Sequence, residues 1–255
     1  MKTQKEKAEI FSELHKKGNP LILFNIWDAG SAKAVADAGA SAIATGSWSV
    51  AAANGFTDGE NLPLELALEN LKRIVNAVDL PVTLDFEGGY AADHSILRGN
   101  VERVIEAGAV GINIEDQVVG GSGLLSIDEQ SQRIKTIRQM AEKLKIPFFI
   151  NARTDVFLKS IPDEHAVKMD EAIARAESYA KAGACGFFVP GLRNSELIKN
   201  LCGAVPLPVN IMVLADTPTN ENLANLGVSR ISYGPAPFIQ IAETIKQQAK
   251  RIYQV

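Results

Sequence analysis

Apolar and polar positions along the chain alternate in a repeating order. Four segments share one form, a helical stretch that runs through small residues into an apolar strand: VADAGASAIATG, VIEAGAVGINIED, YAKAGACGFFVPG and LANLGVSRISYGP. Between them lie four of a second form, in which a proline opens the strand: NPLILFNIWD, LPVTLDFE, IPFFINARTD and LPVNIMV. The glycines suit helix C-caps, where a left-handed backbone is needed, and the prolines suit strand entry, where no ladder donor is yet required. Helix-period patterns over 62–78, 127–144 and 165–182 separate strands. Strict β and α alternation is the signature of a parallel sheet. Eight such units in 255 residues predict a single-domain (β/α)8 TIM barrel over 1–255, with an N-terminal helix in 1–18 and a mobile active-site loop at 117–125. A Rossmann sheet would want GxGxxG after the first strand, and NIWDAGSAK lacks it. GGSG at 120–123 is not followed by Lys-Ser/Thr, so a P-loop is excluded as well.

Composition narrows the setting. At 46% hydrophobic and 22% charged residues the chain is of ordinary globular make-up and long enough for a sizeable core. The net charge of −4 comes from 26 basic and 30 acidic residues with no basic block, which argues against a nucleic-acid partner. The amino terminus is too charged for a signal peptide and no apolar run approaches bilayer length, so a soluble cytoplasmic protein without a membrane partner is expected. Cys185 and Cys202 form no CxxC pair and read as buried thiols.

In such a barrel chemistry belongs at the carboxyl ends of the strands. Those ends carry Asp28, then Thr45-Gly46-Ser47 and Asp58, then Asp85 and Glu87, Glu115 and Asp116, Arg153 and Asp155, and Asn210. Asp28, Asp116 and Asp155 read as helix or turn caps. Asp85 and Glu87, two apart on one strand, would face the same side, where unpaired charge beside an apolar core is costly. With Glu115 they predict a metal site. Oxygen ligands without Cys or His suit a hard cation, Mg2+ or Mn2+, since His15, His94 and His165 fall in or beside helical segments. Arg153 can grip a substrate carboxylate in bidentate fashion or pair with a rim acid.

The stretches NIWDAGSA, ATGS, GFTDGE, VTLDFEGGY, GINIEDQ, NARTD and PVN, in that order over residues 25 to 210, resemble the isocitrate lyase/phosphoenolpyruvate mutase superfamily. The resemblance implies a Mg2+-dependent enzyme that makes or breaks a C–C or P–C bond beside a 2-oxo acid through a metal-stabilised enolate. It implies Asp85 as direct ligand, with Asp58, Glu87 and Glu115 holding water or metal. The turn at Thr45, Gly46 and Ser47 would receive substrate oxygens, Arg153 a carboxylate and Asn210 a further oxygen, with Asp58, Glu115 and Arg153 catalytic. A homo-oligomer, dimer or tetramer, is implied as well. The loop after the fourth strand, QVVGGSGLLSIDEQ, departs from the superfamily: it holds neither the Cys, His and Lys of its lyases nor the Lys and Asn-Ser pair of its mutases. A C–C lyase of a small 2-oxo or 2-hydroxy acid, such as an oxaloacetate-type decarboxylase, is therefore expected. Phosphonopyruvate mutase or hydrolase chemistry is the alternative, and a non-catalytic metabolite-binding barrel the alternative of another class.

Overall fold

All eight expected strands form one parallel sheet in a computed structural model that describes residues 2–254. They are β1 (Leu21–Leu23), β2 (Ile43–Ala44), β3 (Val82–Asp85), β4 (Gly111–Glu115), β5 (Phe149–Arg153), β6 (Gly186–Phe188), β7 (Val209–Met212) and β8 (Arg230–Ser232). From β2 to β8 each strand pairs with its sequence neighbour, and β8 pairs with β1. The β1–β2 seam closes just beyond the strands, where the Ile26 N–H donates to Ala44 O at 2.9 Å and the Gly46 N–H donates to Ile26 O at 3.1 Å. Asn25 locks that seam at the rim. Its Nδ2 donates to Thr45 O at 2.8 Å, while its Oδ1 accepts from the N–H groups of Tyr233 and Gly234 at 3.0 and 2.9 Å. The result is the (β/α)8 barrel that the alternation predicts.

The helices surround the barrel: α1 (Gln4–Glu13), α2 (Ala29–Asp37), α3 (Ser47–Ala53), α4 (Leu64–Ala77), α5 (His94–Glu106), α6 (Ile127–Lys143), α7 (Met169–Ala182), α8 (Ser195–Ala204), α9 (Asn220–Asn225) and α10 (Ala236–Tyr253). The N-terminal helix is shorter than the 1–18 expected, because the chain turns at Lys16–Asn19 with Gly18 at φ 78°. α1 closes the barrel floor, packing Ala8 and Phe11 on Leu21, Leu23, Ala44 and Phe149. Asp28 caps α2 as expected, accepting from the Ser31 N–H at 2.7 Å.

α10 does not follow the others. Of its residues only Pro237 is buried, and Ile239, Ile241, Ile245 and Ile252 face outward. On the outer side of β1, Ile22 is also exposed, as is Phe24 just past the strand, beside a groove of about 600 Å³ that Val35 of α2 and its C-cap Ala38 help to line. Among the described residues, no helix is long and apolar enough to cross a membrane.

Candidate active site

Asp85 ends β3 at the carboxyl rim and is held there by three donors. The Ser47 N–H and hydroxyl donate to Oδ2 at 3.0 and 2.9 Å, and Asn113 Nδ2 donates to Oδ1 at 3.2 Å. The Asp85 N–H donates in turn to Thr45 Oγ1 at 2.9 Å. Since the Gly46 N–H is spent on Ile26, the Thr45–Ser47 turn fixes Asp85 and does not offer the free N–H groups expected for substrate oxygens.

Glu87 corrects the simple strand reading. β3 stops at Asp85, and Glu87 lies in the following turn at φ 50°, so the two carboxylates do not share a strand face. Glu87 Oε2 accepts from the N–H groups of Gly59 and Glu60 at 2.9 and 2.7 Å, and its Oε1 accepts from the Tyr90 hydroxyl at 3.2 Å. Glu60 reciprocates, its Oε1 accepting from the Tyr90 N–H at 2.7 Å. Glu60 and Tyr90 also have positive φ, 60° and 55°, a conformation that costs a side-chain-bearing residue energy and persists where surrounding bonds enforce it. The two loops are thereby clasped, and Asp58 is carried on the clasped segment.

Arg153 is pinned between two acids. Its Nη1 meets Glu115 Oε2 at 2.7 Å, while Nε and Nη2 meet the two oxygens of Asp155 at 2.6 and 2.9 Å. Burial works against this cation, but Glu115 and Asp155 outweigh it and raise its pKa. Asp155 and Asp116 are not the simple caps expected of them. The Asp155 N–H donates to Asp116 Oδ1 at 3.0 Å, and Asp116 Oδ2 accepts from Arg175 Nη1 at 3.0 Å and the Tyr179 hydroxyl at 2.9 Å. These fully buried acids brace the rim arginine from behind.

Asn210 departs further from expectation. It is fully buried in the barrel interior, where Oδ1 accepts from Asn151 Nδ2 at 3.0 Å and Nδ2 donates to Ser232 Oγ at 3.0 Å, so it presents no open face to a substrate. Its partners Asn151, Arg230 and Ser232, with Asn113 bonded to Asn151 and Arg230, carry no signal at the strand ends. They fill an interior that in this fold is ordinarily made of Val, Ile and Leu. The segment 117–125 forms a small closed excursion, with Gln117 bridged to Leu124 and the Val118 N–H donating to Gly123 O at 3.2 Å. Its Val119 sits over Gly88, where an added Cβ would meet Cγ2 at 2.8 Å.

Residues 11–253 match the family of phosphoenolpyruvate phosphomutases. The chain belongs to that family. It is thus an enzyme of the isocitrate lyase/phosphoenolpyruvate mutase superfamily. A crystal structure from Burkholderia cenocepacia J2315, described provisionally as a phosphonomutase, shares 51% identity and a TM-score of 0.95, covering 97% of this chain and 99% of that one. The 2-methylisocitrate lyase of Escherichia coli (strain K12) is 29% identical over 250 residues, 94% of this chain and 80% of the relative. The oxaloacetate decarboxylase of Pseudomonas entomophila (strain L48) is 26% identical over 239 residues, 89% of this chain and 78% of the relative.

Three of the rim carboxyls are raised. Burial, with Asp85 adding to it, raises the Asp58 carboxyl. Burial pushes Glu87 up to about 7, aided by Asp58 and Asp85. Burial raises Glu115 as well, against the pull of Arg153. Among the described residues, no three His, Cys, Asp or Glu side chains come close enough to enclose a metal ion by themselves.

A pH dependence follows. The unfolded chain releases the Glu87 proton near the ordinary 4.5 and the folded chain near 7, so between these values the folded state binds more protons and stability falls as pH rises. Thermal unfolding of metal-free protein should show Tm declining from about pH 5 to 7, a window set by the ordinary and raised Glu87 values. A Tm that climbs through this window would contradict the assignment of a strained, buried carboxyl.

Proposed function

We propose that this chain is a Mg2+- or Mn2+-dependent enzyme that acts on the P–C bond of a phosphonopyruvate-type 2-oxo acid. The observation that carries the reading is the pairing of an acid cluster around Asp85 with a strand-4 loop that has nothing titratable between Asp116 and Asp128. When the P–C bond breaks, the electron pair stays with carbon as the enolate and the electron-poor phosphoryl group passes to a nucleophile, the enolate oxygen or water, so the leaving group asks no proton of the loop. The family match and the relative of 51% identity put phosphorus ahead of carbon. Decarboxylation of an oxaloacetate-type acid is the second reading, because carbon dioxide also leaves without a proton.

Asp85 would hold the cation directly, with Asp58, Glu87 and Glu115 arranged to hold its waters. The bound ion supplies positive charge where negative charge develops on the enolate oxygen. Asp58 is assigned the proton transfer of the hydrolytic route, from water to the enolate carbon, since burial raises its carboxyl above the ordinary range and favours the protonated form. Arg153 spends three of its N–H groups on Glu115 and Asp155 and keeps the others for the substrate carboxylate. Residues 117–125 serve as a cover and exclude water.

Phosphonopyruvate supplied with Mg2+ should be consumed, as followed by phosphorus NMR, and chelator should stop the reaction. Faster consumption of oxaloacetate would favour the second reading, and no turnover of either would favour a non-catalytic barrel. Oxalate, a planar mimic of the pyruvate enolate, should raise Tm only when Mn2+ is present. At a hundredfold excess over its Kd that stabilisation is about 2.7 kcal/mol. An equal shift in chelator would sink the cation-dependent site.

The unpartnered faces suggest the assembly. The occupant proposed for the groove beside β1 is α10 of a second copy, since α10 offers the exposed isoleucines that such a groove would take. Ile245→Glu should then shift the protein to a smaller species in sedimentation, whereas an unchanged species would remove α10 from the interface.

A further inference from the structure

Arg230 is the anomaly of the barrel interior. It is 1% exposed, on β8 beneath the rim, and among the described residues its guanidinium makes one hydrogen bond, from Nη2 to Asn113 Oδ1 at 3.1 Å. Among the described residues Nε and Nη1 have no partner, and the guanidinium faces the Phe11 ring at 6.0 Å. No carboxylate touches it among the described residues. Burial pushes its pKa down to about 9, with Asp85 pulling the other way, so it stays cationic at neutral pH. The nearby His15 adds no second charge: burial, with Arg230 adding to it, lowers it to about 3, and it stacks on Phe149 with ring centroids 4.0 Å apart. A buried, unpaired guanidinium weakens a fold. Its place in the charge pattern gives it a use.

Above Arg230 stands the acid site. Asn113 Oδ1 accepts from both Arg230 and Asn151 Nδ2, the latter at 2.9 Å, which leaves its Nδ2 aimed at Asp85. Asp58, Asp85, Glu87, Glu115 and Asp155 lie in one another's fields, and Arg153 is the cation in contact with two of them. We propose that Arg230 is a resident counter-charge and positioning residue of the acid site, which restrains the carboxylates from within the barrel through Asn113 and sets how tightly the rim takes up a divalent cation. This rests on the cation-site reading above. The two positive charges answer to the same acids, so they oppose each other. Loss of Arg230 relaxes Asn113 but leaves Asp85 its two donors from Ser47, and the change in charge therefore dominates.

The test is titration of Mn2+ into metal-free protein, followed by the paramagnetic resonance of the free ion, for wild type, Arg230→Met, Arg230→Gln and Arg230→Lys. Both neutral variants should bind Mn2+ roughly tenfold tighter or more, and Arg230→Lys, which keeps the charge, should stay within about threefold of wild type. Damage to the fold would leave affinity unchanged or lower it, so tighter binding is not a structural side effect. Equal or weaker binding by the neutral variants overturns the proposal while leaving the cation site standing. A wild-type protein that takes up no Mn2+ sinks the cation site and this role together. Neutral variants that unfold in chelator but fold with Mn2+ support it, because the ion then replaces the missing charge. Variants that stay unfolded at saturating Mn2+ make Arg230 structural and overturn it.

Discussion

Asp85→Ala is expected to abolish divalent-metal uptake and to lower turnover by several orders of magnitude while the barrel stays folded. Asp85 is only partly buried at the rim, and the two donors it would abandon on Ser47 lie on a partly exposed residue that water can reach. Its removal also relieves Asp58, Glu87 and Glu115, each of which its charge pushes upward. Far-ultraviolet circular dichroism should therefore match wild type, with Tm in chelator unchanged or higher. Retention of both Mn2+ affinity and turnover would show that the ion is held elsewhere.

Arg153→Ala should have the opposite profile, with large effects on the fold as well as on the ligand. Glu115 and Asp155 would be left buried without the cation that both contact, a loss of about 3–5 kcal/mol when one partner of a buried pair is removed. Oxalate affinity should fall with it. Arg153→Lys should restore little, because an ammonium cannot present two parallel N–H groups to Asp155 while also reaching Glu115. Urea unfolding and the oxalate-induced shift in Tm measure the two losses separately. Stability within about 1 kcal/mol of wild type, the level of an exposed pair, would mean that Arg153 is solvated in solution.

The barrel was legible in the sequence because each of its repeats carries two independent signals. Gly39, Gly108, Gly183 and Gly227 mark the turns after α2, α5, α7 and α9 with positive φ, and the prolines open the alternate strands. The rim acids were legible for a simpler reason, as charged residues at the ends of apolar runs. Where Glu87 points was not. Its direction depends on a left-handed turn and on the N–H groups of a loop some 27 residues earlier, neither of which strand alternation encodes. Asn210 misled because burial, not position along the chain, separates an interior amide from a rim amide. The interior itself did leave a trace. Asn113 alternates with Ile112 and Ile114, Asn151 with Ile150 and Ala152, and Arg230 and Ser232 flank Ile231. A strand buried on both faces should read as continuously apolar, so polar residues at every second position mark a polar barrel centre.

The clasp between the loops after β2 and β3 also constrains how this site can diversify. Glu87 needs the backbone of Gly59 and Glu60, and Glu60 needs that of Tyr90, so neither loop keeps its shape if the other changes length. The pair therefore behaves as one heritable unit. A loop grafted from another enzyme after β2 alone would strand a buried carboxylate and release two residues from conformations they hold only under restraint. Laboratory evolution toward new substrates should accordingly accept insertions in 117–125, whose tip is solvent-exposed, and reject them in 58–61 unless 87–90 is exchanged at the same time.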